Sequence, residues 1–149
     1  MTWTRCKVAH KVRILQTYFD EVWKKGNVEA LHTLLAPNAR TRGILGGEPF
    51  DANELAELVT MTRALIGPVS VAFPIVIEKD DWLSALVEIK SHALHNGDPI
   101  HVFNQMLVRF EGERMIEVSS NLDALSLFEQ LGLLPENAMV MMLAGTRLS

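Results

Sequence analysis

Residues 82–110, WLSALVEIKSHALHNGDPIHVFNQMLVRF, decide the fold. Leu83, Ala85, Val87, Ile89, Ser91 and Ala93 fall on one side of a period-two pattern, and Trp82, Leu86, Glu88, Lys90 and His92 on the other. Alternation of that kind is what a strand with one buried face requires. After His95-Asn96-Gly97-Asp98, whose Asn-Gly step is a strong hairpin signal, it resumes. Val102, Asn104, Met106, Val108 and Phe110 then share a face. The stretch predicts two antiparallel strands, Trp82 to Leu94 and Ile100 to Phe110. His92, His95 and His101 crowd the turn, and a metal site would need several of them converging with fixed geometry. An exposed hairpin tip is the expectation, with no metal.

Working outward, Val69 to Glu78 reads as a preceding strand, rich in Val, Ile and Phe, with Asp80-Asp81 as its turn. Glu111-Gly112-Glu113 leads into a fourth, Arg114 to Ser120. Upstream the period becomes helical. Val8, Val12, Leu15, Phe19 and Val22 make one apolar face from about Val8 to Lys25, with Tyr18 at its edge. Gly26-Asn27 ends that helix, Asn27 is placed to cap a short second one through Leu35, and Pro37 forbids continuation. A small strand is expected at Ala39 to Arg42. Asp51 and Glu54 have capping-box spacing, and Phe50 and Leu55 have that of a hydrophobic staple. Leu55, Leu58, Val59, Thr62, Leu65 and Ile66 give the next helix its inward face, which Gly67-Pro68 ends. A last helix runs from Ala124 to Leu131 and stops at Gly132.

That order predicts an α+β fold: a curved antiparallel sheet wrapped around N-terminal helices. Residues 1–149 make a single domain, with 136–149 as a C-terminal extension. The run AMVMML in that extension is apolar, and Met-rich segments fill irregular gaps, so it is expected to cover a pocket mouth or a partner subunit. Between sheet and helices an apolar cavity with a few polar groups is the default small-molecule site.

Composition narrows the function. Hydrophobic residues make up 48% and charged ones 21%, so a packed core is expected rather than disorder. The net charge of −4, with scattered Lys and Arg, offers no basic stripe for a phosphate backbone, which speaks against nucleic acid. The single cysteine, Cys6, cannot form an internal disulfide, in keeping with a reducing compartment. MTWTRCKVAHKV lacks the apolar core of a signal peptide, and AMVMMLAG falls short of the ~20 residues a membrane helix needs. A cytoplasmic protein with no membrane contact is expected. No Gly-rich phosphate loop or Ser-His-Asp motif is present, so no cofactor is expected.

YFDEVWKKGNVEALHTLLAPNA (residues 18–39) and MIEVSSNLDALSLFEQLGLLP (residues 115–135) resemble the opening and closing segments of the SnoaL-like polyketide cyclase family, within the nuclear-transport-factor-like, cystatin-like cone superfamily. Glu117, Leu122, Asp123, Gln130, Leu131 and Gly132 match the closing pattern in order. The resemblance implies a cone-shaped α+β barrel, usually a homodimer, with a pocket at its open end. It also implies a cofactor-free intramolecular aldol closure in which the aspartate opening the last helix is the acid/base; by position that is Asp123. Many relatives carry Trp four residues before this aspartate, where this chain has Ser119, which leaves a smaller pocket wall. Ketosteroid isomerase relatives carry their base where this chain reads Gly43, so isomerase chemistry by that route is disfavoured.

Each candidate has a plainer explanation beside the functional one. Asp123 before Ala-Leu-Ser-Leu is a good N-cap, and amide donors and the helix dipole favour its anion, whereas a general base works best nearer the operating pH. Asn104, alone among apolar side chains, needs a hydrogen-bond partner: a ligand carbonyl, a backbone group or a water. Tyr18 either aims its hydroxyl into the cavity or snorkels it to solvent. Trp23, Leu55, Val59, Phe73 and Met106 line the pocket or are simply core. The expected ligand is a small apolar molecule with a carbonyl group. Two other readings stand beside catalysis: a binding module without chemistry, and a dimeric interaction domain joined through the outer sheet face.

Overall fold

The structure, a computed structural model, describes residues 2–43 and 47–148, with side chains described from His10 onward. Helix α1 (Thr2–Tyr18) runs directly into a π-helical turn, Phe19–Lys24. Val8, the first residue of the expected apolar face, lies outside the described side chains, while Leu15, Phe19 and Val22 are buried as expected. A 3-10 turn (Val28–Ala30) and the single turn of α2 (Leu31–Leu34) follow. Asn27 does not cap them: its amide instead reaches Glu21 Oε2 at 3.4 Å. Strand β1 (Leu35–Arg42) is longer than the predicted small strand. Helix α3 (Ala52–Arg63) opens on the full capping box, with Asp51 Oδ1 accepting from Glu54 N at 3.0 Å and Glu54 Oε2 accepting from Asp51 N at 2.8 Å. Phe50 and Leu55, the staple pair, are both buried. Leu65 is not on the inward face: α3 ends at Arg63, and Leu65 is exposed in the turn beyond it.

Strands β2 (Ser70–Lys79), β3 (Trp82–His92), β4 (Pro99–Glu111) and β5 (Arg114–Leu122) form the predicted antiparallel meander. The sheet order is β1-β5-β4-β3-β2, and β1 pairs with β5 in parallel, so the sheet is mixed and unclosed. No turn signal could announce a pairing between segments so far apart in sequence. Two bulges help to curve the sheet. Phe73 and Pro74 together oppose Val87, and Ile116 is the extra residue between the Arg109–Glu117 and Phe110–Met115 pairs. Pro74 is tolerated because β2 is an edge strand and the bulge asks no N–H of it.

The concave face holds the alternating residues read from the sequence. Leu83, Ala85 and Val87 of β3, and Met106, Val108 and Phe110 of β4, pack with Leu15, Tyr18, Phe19, Val22, Leu55 and Val59 into the main core. A smaller cluster (Ile66, Val69, Ala93, Ile100, Val102, Leu127, Leu131) occupies the end under α4 (Ala124–Gln130). Trp23 and Ile89 pack against both clusters. The convex face keeps Ile75 and Ile77 largely exposed, along with Phe103 and Leu107.

Helix α4 is fastened to β4 beyond the end of β5. The Asp123 N–H donates to Phe103 O at 3.1 Å. The Gln130 amide then accepts from His101 N at 2.8 Å and donates to His101 O at 2.9 Å. A glutamine side chain thus stands in for the next strand residue, which accounts for the Gln-Leu-Gly ending. Gly132, at φ +74°, turns the chain so that Leu133 N reaches Phe128 O at 2.9 Å. The C-terminal extension contains a helix the sequence reading did not foresee, α5 (Ala138–Leu143), which buries Ala138 and leaves Met139, Val140, Met142 and Leu143 exposed.

Candidate functional site: a polar seam between two apolar clusters

Along the inner face of β4, Ile100 and Val102 belong to the smaller cluster and Met106, Val108 and Phe110 to the main core. Asn104 lies between them, buried at 6% exposure, and Ser120 of β5 at 4%. Asn104 Nδ2 donates to Ser120 Oγ at 2.8 Å, and Ser120 Oγ donates back to Asn104 Oδ1 at 3.2 Å. The partner required of a buried amide is therefore a side-chain hydroxyl. The pair uses the serine's only proton but leaves one Asn104 N–H and one Oδ1 lone pair.

Ser119 is not a pocket wall. It pairs with Leu107 and Arg42 on the convex side of the sheet, and its neighbour Ser120 takes the inward place. Counting by two from Val118 would have found Ser120, whereas the resemblance drew attention to a position four residues before the aspartate.

Tyr18 is fully inside, at 5% exposure, and does not snorkel to water. The indole N–H of Trp23 donates to its hydroxyl at 3.0 Å. No acceptor for the Tyr18 proton is present among the described residues. Burial pushes the phenol up to about 12, while the Trp23 hydrogen bond favours the phenolate and pulls the other way. The unfolded chain therefore loses this proton from about pH 10, before the folded one does. Between pH 10 and 12 the parent should lose about 2 kcal/mol more stability than Tyr18→Phe, read by urea unfolding at each pH. Equal losses would place the hydroxyl in contact with solvent.

Gly43 follows β1 at φ +112°, and a Cβ there would lie 1.9 Å from Ser120 O. Backbone of the two strands meets where the isomerase base would sit, so that position has no room for a side chain. Thr41, two residues earlier, is buried beside Val118.

Asp123 is exposed and caps α4, with Oδ1 accepting from Ser126 N at 3.2 Å. Its second oxygen has no partner among the described residues. It stands one residue beyond Leu122, the register partner of Asn104, so the carboxylate lies near the seam in chain terms but at the surface. Leu55, Val59 and Met106 are fully buried core. Phe73, at the β2 bulge, packs on Phe19 with ring centres 6.2 Å apart, and Trp23 bridges the two clusters. Sequence reading also missed a charged pair at the far end of the inner face, Lys11 with Glu78 at 2.7 Å. Among the described residues no group of His, Cys, Asp and Glu gathers to hold a metal, and no helix is long and apolar enough to cross a membrane.

No protein-family model and no curated protein matches the chain. Solved structures do. A "putative polyketide cyclase" from Acidithiobacillus ferrooxidans is 20% identical, with 83% of this chain and 95% of that one aligned at a TM-score of 0.68. A "putative SnoaL-like polyketide cyclase" from Jannaschia is 14% identical, with 85% and 94% aligned at 0.70. A protein with a ketosteroid isomerase-like fold from Catenulispora acidiphila is 21% identical, with 80% and 92% aligned at 0.67. At such identities the likeness shows the fold: the α+β cone expected from the sequence is the one present.

Proposed function

We propose, proceeding from that fold, that the protein binds a small, largely apolar carbonyl compound at the polar seam and acts on it as a cofactor-free cyclase of the SnoaL type. The observation that carries this reading is a buried amide at the seam and a buried phenol in the main core, each with an uncommitted N–H or O–H, set in an otherwise apolar interior. Buried donors left unmade are costly, and a ligand oxygen would satisfy them. In the reaction the Asp123 carboxylate removes a proton alpha to the carbonyl. The enolate oxygen is stabilised by Tyr18 O–H and Asn104 Nδ2–H. The enolate carbon attacks a second carbonyl of the same molecule, and the resulting alkoxide recovers the proton from Asp123. A second copy of the chain covers Ile75, Ile77, Phe103 and Leu107 on the convex face, and sedimentation of the purified protein as a monomer would remove that element.

Asp123 itself favours a second reading. It is exposed and already caps α4, which suits a binding protein without chemistry. Ligand binding is tested apart from catalysis with 2-acetylnaphthalene and its near-isostere 2-isopropylnaphthalene, by equilibrium dialysis. The ketone should bind about tenfold more tightly, the equivalent of about one hydrogen bond. That preference should shrink in the Asn104→Leu/Ser120→Ala double variant, which removes both members of the polar pair and so leaves no orphan. Equal binding of the two probes by the parent would sink the carbonyl reading.

A further inference from the structure

We propose that Trp23 is a positioning residue: held over Tyr18 by the π-helical turn, its indole N–H occupies the acceptor side of the phenol and leaves the phenol proton as the group offered inward. The consequence is selectivity for ligands that bring an acceptor oxygen, a carbonyl or an anionic oxygen, over ligands of the same shape that bring no acceptor. This rests on the reading of Tyr18 as a ligand donor given above.

The geometry begins with the spacing. In an α-helix, residue i+4 lies over residue i, and i+5 has rotated past it. Tyr18 and Trp23 are five apart. They meet because Phe19–Lys24 is wound as a π-helix, whose hydrogen bonds run from i to i+5, as in Lys25 N to Asp20 O at 3.1 Å. The chain widens further at the exit, where Asn27 N reaches Glu21 O at 2.8 Å.

A π-turn needs support, because it opens carbonyls that an α-helix would close. Arg63 at the end of α3 supplies it. Its Nε donates to Trp23 O at 3.1 Å and its Nη2 to Lys24 O at 3.2 Å. Gly26, at φ +76°, gives the guanidinium its seat, since a Cβ there would lie 2.1 Å from Arg63 Nη1. The indole is held from below as well, being packed against both apolar clusters. Sequence distance, backbone winding and a cross-element cap thus converge on one hydrogen bond, the one that fixes which way the Tyr18 hydroxyl can point. A merely packed tryptophan needs none of these features.

The chain contains one tyrosine, so the Raman Fermi doublet of tyrosine reports this hydroxyl alone. In the parent the doublet ratio should be that of a phenol acting mainly as acceptor. In Trp23→Phe, which keeps an aromatic ring and loses the N–H, the ratio should move away from that value, and the preference for 2-acetylnaphthalene over 2-isopropylnaphthalene should fall about three- to tenfold. Arg63→Gln, which loosens the turn without touching the indole, should move the doublet the same way by less; it decides the matter should Trp23→Phe not fold. A doublet unchanged in a folded variant overturns the positioning role, and a changed doublet with an unchanged preference overturns the selectivity. Failure of the parent to bind either naphthalene would remove the proposed ligand, while the doublet would still decide whether Trp23 sets the hydroxyl.

Discussion

A Gly43→Ala chain should lose about 4 kcal/mol or more of stability, enough to unfold much of a domain of this size. Two costs add. A residue with a Cβ held in a glycine-only region of backbone space costs about 1–3 kcal/mol. The methyl would also sit 1.9 Å from Ser120 O, a backbone atom of a central ladder that no rotamer change can move aside. Relief requires β1 and β5 to part, which breaks their parallel pairing at Thr41–Val118 and Arg42–Ser119. Ser120 also carries the hydroxyl that holds Asn104, so the damage reaches the seam. The measurement is urea unfolding of parent and variant, with Gly47→Ala as control, where a Cβ meets nothing within 4 Å. A loss under about 1 kcal/mol would mean the two strands separate freely there. The same contact tells against placing a carboxylate here by Gly43→Asp: it would arrive on a strand that can no longer pair.

The Asp123→Asn variant should keep the parent's stability and lose about 10²–10⁴-fold in turnover of any dicarbonyl compound the parent cyclises. Asparagine and aspartate cap a helix about equally, so the Ser126 N–H keeps an acceptor and α4 stays seated on β4. What disappears is the basic oxygen. Asp123→Ala separates the two roles, since it also gives up about 1 kcal/mol of cap. An Asp123→Asn enzyme as fast as the parent would end the catalytic role of this residue and leave the binding reading, whose support comes from Asn104 and Tyr18 rather than from the helix start.

Residues whose environment is set by near neighbours were legible in the sequence. The inward faces of β3 and β4 follow from alternation because one side meets the core and the other meets solvent. The Asp51–Glu54 box is a local exchange of hydrogen bonds, and it is present as read. Asn104 stood out because an amide among apolar residues must be paired. Its partner, Ser120, needed the register of a neighbouring strand, which periodicity within β4 does not supply. Tyr18, three residues beyond Leu15, is buried with it rather than at the edge of the helix face, and nothing in the composition announces the π-turn that brings Trp23 to its hydroxyl. Likewise Asn27 has the chemistry of a cap, but its amide went to Glu21, a competitor available only once the turn had formed. The parallel partner of β1 was hidden for a third reason: the contact joins the first strand of the chain to the last, with no connection between them short enough to carry a signature.

That first-to-last pairing has a consequence for how the molecule is made. As the polypeptide leaves the ribosome, residues 35–42 emerge long before 114–122, the segment they must lie against. Until then β1 has bare amides and carbonyls along its length, while the hairpins of β2 to β4 can already zip together from their own turns. Completion waits on the arrival of β5 in the gap between them, a late step that leaves an adhesive edge open to other nascent chains in the meantime. Ribosomes stalled short of Leu122 would therefore release a product with helices formed, a meander begun and no docking place for its earliest strand.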